Sequence, residues 1–205
     1  SMALKETNFK FPGQRAFYRG KVRDVYSFDR HMAIVVTDRI SAFDHILPMS
    51  IPFKGQILNT IAARFLKDTE HIVPNWLEHV PHPNVSIGKI CQPIKLEMVI
   101  RAHLTGHAWR TFRDGGRTLC GVVLPEGMRQ NDPFSYPILT PATKADEGHD
   151  EDISEQEILE QDIVSASTWK KLKEISFELF HHGQKMAEER DLILVDTKYE
   201  FGWFK

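Results

Sequence analysis

The sequence predicts an α+β fold, on three observations. A β-hairpin opens at Tyr18 to Ser27, apolar residues recur at helical spacing after Gly55, and two capped or periodic helices near the end give way to a short apolar run at Leu192 to Val195. In the hairpin, strand character on both sides of a tight turn at Gly20 is followed by the β-branched run His31 to Thr37, bounded by charged turns. Beyond Pro52 and Gly55, the spacing of Ile57, Leu58, Ile61, Ala62, Phe65 and Leu66 predicts an amphipathic helix of about three turns. Pro74, Pro81 and Pro83 then interrupt the chain. Strand character returns at Ile94 to Ile100, with Lys95, Glu97 and Val99 on one face and Leu96 and Met98 on the other.

Residues 125–153 are rich in Pro, Gly, Asp and Glu without a clear period, which predicts a long loop region of the kind that carries function. Ser154 followed by Glu157 forms a capping box, and the acidic run Asp150-Glu151-Asp152 precedes the positive end of the helix it opens. Leu172, Ile175, Leu179, Met186 and Ala187 lie along one stripe of a second helix, Thr168 to Arg190, before a buried strand at Leu192 to Val195. There is no internal repeat and no low-complexity tract.

At 205 residues, 41% hydrophobic and 26% charged, the chain has material for a real core, as one large or two small domains. A formal net charge of -2 supplies no overall basic field for a nucleic-acid backbone or an anionic membrane surface. Neither nucleic acid nor membrane is expected as a partner. Cys91 and Cys120 form no C-x-x-C pair, so neither a disulfide framework nor a cysteine zinc site is indicated, and a reducing cytoplasm suits this usage. The opening residues lack the apolar core of a signal peptide, Ser1 before Met2 reads as a cloning remnant, and no apolar run is long enough to span a membrane. The expectation is a soluble, intracellular protein.

The candidate chemistry lies in several short segments. In Asp196-Thr197-Lys198-Tyr199-Glu200, extended backbone puts Asp196, Lys198 and Glu200 on one face and Thr197, Tyr199 and Phe201 on the other. Two carboxylates flanking an ammonium suit magnesium held through oxygen with a phosphate or carboxylate neutralised beside it; a half-exposed strand with a charged outer face has the same pattern. Arg19-Gly20-Lys21-Val22-Arg23 sets Lys21 and Arg23 on one strand face beside a glycine, which suits a polyphosphate. It is neither a Walker A loop nor G-x-G-x-x-G, and exposed hairpin charges explain it equally well. Arg101, on the face of Glu97 and Val99 and ahead of Gly106, is placed either to clamp a phosphate or carboxylate or to form a structural salt bridge.

Thr140 to Glu151 gathers Lys144, Asp146, Glu147, His149 and Asp150 in a polar stretch, and Thr37-Asp38-Arg39-Ile40-Ser41-Ala42-Phe43-Asp44 reads as a polar turn after a strand. The ten histidines include His103 and His107 and the adjacent His181-His182, but no H-E-x-x-H, so zinc is not expected. No serine or cysteine sits in a nucleophile-elbow or protease-type sequence. These segments by themselves point to an α+β protein that binds anions and a metal.

In this order, and from residue 17 to the end, the segments Tyr18–Tyr26, Thr37–Asp44, Glu97–Arg101, Thr140–Asp152 and Asp196–Gly202 resemble the SAICAR synthetase family. The resemblance implies a ligase of purine biosynthesis that uses ATP and Mg2+ to join L-aspartate to the carboxylate of carboxyaminoimidazole ribonucleotide (CAIR), giving SAICAR, ADP and phosphate. It implies a small sheet-rich lobe over the nucleotide, residues 1–92, and a larger ATP and substrate lobe, 93–205, similar to ATP-grasp enzymes and distantly to protein kinases. By the same resemblance Gly20, Lys21, Val22, Arg23 and Glu97 fall at ATP-binding positions. Ser41, Arg101, Lys144 and Asp150 fall at substrate positions, Glu200 at a magnesium position, and Lys198, Asp196 and His149 at catalytic ones, with Asp196 and His149 both open as the base for the aspartate amine.

Two departures stand out. The family usually continues Gly-Ser where Gly106 is followed by His107, and it runs on well beyond its Glu-Phe-Gly motif, whereas this chain ends at Lys205 with about a third of the expected enzyme absent. Two other readings therefore stay in view: a nucleotide-binding remnant without catalysis, and a small-molecule kinase using the same cleft. Oligomeric state is left open, a homo-oligomer included.

Overall fold

The computed structural model describes residues 2–146 and 148–205; Ser1, read as a cloning remnant, and Glu147 of the polar loop lie outside the described residues. The chain divides into two compact units, one running to Gln92 with Phe204–Lys205, the other Pro93–Trp203. Among the described residues no helix is long and apolar enough to cross a membrane.

The first unit contains strands β1 (Ala16–Arg19), β2 (Arg23–Ser27), β3 (His31–Val36), β4 (Ser41–Ala42) and β5 (His45–Ile46), helix α1 (Lys54–Asp68), and strands β6 (Leu77–His82) and β7 (Val85–Lys89). Five of the strands form one antiparallel sheet in the order β1-β2-β3-β7-β6. The stretch punctuated by prolines, read from sequence as an interruption, thus contributes the β6–β7 hairpin. Pro81 is tolerated because β6 is an edge strand with register shifts, where a missing N–H costs no ladder bond. The turn after β1 also differs from expectation: β2 begins at Arg23, so Lys21 sits in the turn and shares no strand face with it.

Tyr26, Ala33 and Val35 form the core of this sheet, with Leu4, Phe28, Val85 and Ile87 packed on it. Beneath the apolar layer lies a polar one. Asp24, fully buried, accepts hydrogen bonds from Thr7 N and Oγ1 and from Arg39 Nη2. Burial works to raise its carboxyl pKa, but Arg39 and Thr7 prevail and hold it below the usual carboxylate range. The extended N-terminal segment is bound across this layer, with Leu4 N donating to Asp38 and Phe9 N to the Tyr26 hydroxyl.

Helix α1 turns its apolar stripe outward. Ile57, Leu58, Ile61 and Phe65 are exposed, while the buried positions are Gly55 and Asn59. The reason is local: Gly55 lies so close to the sheet that a Cβ there would meet Val36 O at 2.2 Å, and Asn59 donates to Pro83 O while accepting from Ser86 Oγ at 2.6 Å. Backbone approach and two hydrogen bonds, rather than side-chain apolarity, set this helix's orientation.

The second unit is built on the long strand β8 (Gln92–His103), followed by α2 (Gly106–Arg113), β9 (Thr118–Leu119), β10 (Val122–Val123), β11 (Pro133–Leu139), β12 (Ala142–Thr143), α3 (Glu155–Glu160), α4 (Ala166–Glu188) and β13 (Asp196–Trp203). Strands β11, β12 and β13 all pair with β8. Leu96, Met98, Ile100 and Ala102 alternate along β8 into a core completed by Ile158 of α3 and Trp169, Leu172 and Phe180 of α4. A second cluster gathers Leu104, Ala108, Phe112, Leu119, Leu124 and Phe134 around α2. The capping box forms as its sequence predicts: Ser154 Oγ accepts from Glu157 N, and Glu157 Oε2 accepts from Ser154 N at 2.8 Å, a pair worth ~1 kcal/mol.

Two sequence expectations give way here. The 125–153 region is not one loop, since β11 and β12 pair with β8; prolines at 133 and 137 and a register shift within β11 hide its period. Leu192 to Val195 is not a buried strand. Leu192 and Ile193 are exposed and the strand begins at Asp196, because Val195 O already accepts from Ala102 N and starts the pairing with β8 only there.

Gly88 in β7 tests the sheet of the first unit. A Cβ there would meet Trp76 O at 1.9 Å, the same carbonyl that accepts from Lys89 N at 2.8 Å. Gly88→Ala is expected to destabilise the fold by ~1–3 kcal/mol, read as a lower urea midpoint with an unchanged slope.

Candidate active site

The charged face of β13 meets the charged face of β8. Asp196, Lys198 and Glu200 are exposed, whereas Tyr199 and Phe201, on the alternate positions, pack on the core. Contacts run in opposite senses along the two strands: Arg101 Nη1 lies 4.0 Å from Asp196 Oδ2, and Lys198 Nζ lies 3.6 Å from Glu97 Oε2. Ala142 of β12 pairs with Glu97, and Lys144 N donates to Lys95 O, which brings Lys144 to the same face. Its ammonium bridges two carboxylates, Glu97 Oε1 at 3.0 Å and Glu200 Oε1 at 3.1 Å.

Glu97 is only 7% exposed, so its carboxylate depends on these lysines. Lys144 in turn is held well above the ordinary lysine pKa: partial burial pulls it down, but the hydrogen bonds to Glu97 and Glu200 outweigh that. Arg101, mostly buried, donates through Nε to Thr140 Oγ1 at 2.8 Å. Burial draws its pKa down while Asp196 and Asp152 oppose the shift, and the guanidinium stays charged. Nearby, burial and then Asp152 push the Cys120 thiol up to about 12, which leaves it an unreactive thiol at neutral pH.

The remaining predicted residues are distributed as follows. Asp150 Oδ1 accepts from Ala145 N at 3.0 Å and so closes the loop carrying Lys144, while His149 is exposed on that loop. In the first unit, Gly20, Lys21 and Val22 form the turn between β1 and β2, Arg23 opens β2, and Ser41 lies in β4. The β4–β5 turn, Phe43-Asp44, has positive φ at both residues, 49° and 64°, and Asp44 pairs with the Lys21 ammonium.

A model of the SAICAR synthetase family matches residues 16–205. The chain belongs to the SAICAR synthetase family. A phosphoribosylaminoimidazole-succinocarboxamide synthase of Cytophaga hutchinsonii is 56% identical over 200 residues, 98% of this chain and 64% of the relative. The chain thus spans less than two thirds, 64%, of that relative's length. A solved SAICAR synthase from Saccharomyces cerevisiae, complexed with SAICAR, superposes with a TM-score of 0.83 at 30% identity, covering 97% of this chain and 72% of that one. A SAICAR synthetase in complex with ADP shares the fold, with a TM-score of 0.78 at 23% identity over 93% of this chain and 76% of that one.

Membership in the family raises the question of magnesium. Among the described residues no group of three or more His, Cys, Asp or Glu side chains stands ready to hold a metal. Magnesium nonetheless fits the face, because it takes hard oxygen donors, commonly one or two carboxylates with substrate phosphates and water completing the shell. Glu200, exposed and on the face of Asp196, offers that kind of ligand.

Sequence reasoning missed three participants. Arg39 and Asp24 lay within quoted segments but carried no sign of being buried together at 2.9 Å. Asp152, read as favourable to a helix and as the end of the Thr140–Asp152 segment, meets His107 Nε2 at 2.6 Å. His107 itself lies in α2, a helix that the Gly106 turn signal concealed.

Lys144 yields a pH prediction. A folded-state pKa raised above the ordinary lysine value of 10.5 means that its stabilising contribution is complete below that value and is lost as pH rises through the folded pKa. The stability difference between wild type and Lys144→Met, ~1–3 kcal/mol because Glu97 loses a partner, should stay level from neutral pH to about 9 and shrink above 10.5 in urea melts.

Proposed function

We propose that this chain derives from an ATP-dependent ligase condensing CAIR with L-aspartate to give SAICAR, ADP and phosphate, acting in the cytoplasm. The observation that carries the reading is the convergence of Glu97, Lys144, Lys198 and Glu200 on one sheet face in a member of the SAICAR synthetase family.

A carboxylate resists attack by an amine because its oxygen is a poor leaving group and its charge repels the nucleophile. In the proposed sequence a CAIR carboxylate oxygen attacks the γ-phosphorus of ATP, the bond to the ADP oxygen breaks, and an acyl phosphate forms. The free amine of aspartate then attacks the acyl carbon, phosphate leaves, and the amine's proton passes to a nearby base, for which Asp196 and His149 are the candidates. Lys21, Arg23 and Lys198 stabilise charge on the transferring phosphoryl group, Gly20 and Val22 carry the covering turn, and Arg101, Lys144, Ser41 and Asp150 hold the ribonucleotide. Mg2+ when bound, with Glu200 as its protein ligand, neutralises phosphate charge. The Lys144 bridge suits this role, since an ammonium shared between two carboxylates can be redirected to an incoming anion while Lys198 still faces Glu97.

The test is a coupled assay of ADP release with CAIR and aspartate. ADP formed without aspartate would instead indicate a kinase, and ATP-dependent thermal stabilisation without phosphate release a binding remnant. Lys198→Met is expected to lower turnover about a hundredfold, equivalent to ~3 kcal/mol of barrier, with little change in nucleotide affinity.

A further inference from the structure

The turn Gly20-Lys21-Val22 is held from behind by residues that no predicted role includes. Arg39 Nη2 donates to Gly20 O at 3.0 Å and Arg39 Nε to Lys21 O at 3.0 Å. Val22 O accepts from Thr37 N at 3.0 Å and from Thr37 Oγ1 at 2.7 Å. All three carbonyls of the turn therefore face the Thr37–Arg39 segment. Peptide C=O and N–H groups point in opposite directions when trans, and among the described residues no peptide bond is cis. The N–H groups of Lys21 and Val22 consequently aim away from Arg39, on the outer side of the turn. Successive outward amides beside a lysine offer N–H donors and a positive charge to phosphate oxygens.

The guanidinium is suited to this grip and difficult to replace. It is 8% exposed and uses its remaining edge on Asp24 Oδ1 at 2.9 Å and Lys5 O at 2.7 Å. Asp24 neutralises the buried charge, and the planar fork spans two adjacent carbonyls from one edge, which a lysine ammonium cannot do. The arrangement is internal to the first unit.

We propose that Arg39 is a positioning residue for nucleotide phosphates: it turns the carbonyls of Gly20 and Lys21 inward while Thr37 anchors the end of the turn through Val22 O, so that the Lys21 and Val22 amides and the Lys21 ammonium face the polyphosphate. This rests on the reading of the turn as the ATP cover. The Lys21 ammonium is paired with Asp44, a carboxylate whose place phosphate oxygens take.

The experiment compares ATP and AMP binding to the 205-residue chain by calorimetry in magnesium buffer, with amide NMR shifts of Lys21 and Val22 recorded alongside. Wild type is expected to prefer ATP, with both amides shifting on ATP addition. Arg39→Lys should weaken ATP binding on the order of tenfold or more while AMP binding stays within about twofold, because only the phosphate-dependent part is lost. Thr37→Val, nearly isosteric and retaining its backbone bond to Val22 O, should show the same pattern more weakly, and carries the test if the Arg39 variant does not fold. Equal loss for both nucleotides, or unchanged preference in the variants, overturns the positioning role. Absence of any ATP preference in wild type overturns the nucleotide reading and this inference with it.

Discussion

A carboxylate buried on the central strand of the second unit constrains what surrounds it. Glu97 occupies a β8 position whose neighbours Leu96 and Met98 are sunk in the core, so the strand cannot rotate to bring Glu97 into water without exposing them. An uncompensated buried carboxylate costs several kcal/mol, and Lys144 and Lys198 supply the compensation. That need draws the loop after β12 and the charged face of β13 to one place. The geometry of the candidate site follows from a strand that must alternate and a charge that must be paired.

The first unit solves a similar problem with different chemistry. Its buried carboxylate, Asp24, is met by Arg39, whose fork also binds two backbone carbonyls and so ties a turn down. Glu97 is met by lysines, each a point charge on a flexible stem. Arginine suits the element that must keep its shape, and lysine suits the element that must give up its partner when an anion arrives. The choice of cation at each carboxylate thus matches the work proposed for each.

Much of the local structure was legible in the residues. The β1–β2 hairpin, the Ser154 capping box and the D-x-K-x-E alternation are written in spacing and residue type within a few positions. Other elements were hidden because their cause is not local. The stripe Ile57, Leu58, Ile61 and Phe65 has the spacing of a core-facing helix, yet the tight approach at Gly55 and the bonds of Asn59 turn it outward. Strands β6 and β11 carry prolines that mask their pattern, and only pairing with β7 and β8 makes them strands.

By itself the sequence determined the residue types available for chemistry and the faces they share within a strand, because side-chain direction alternates with a period that needs no tertiary partner. It also carried the family resemblance, since that rests on motifs in order. Only the tertiary structure decided that Lys144 reaches Glu97 and Glu200, and that Arg39 reaches back to Gly20 and Lys21. Those partners are distant in the chain, and which donor meets which acceptor depends on strand pairing, burial and backbone orientation together, none of which a local pattern records.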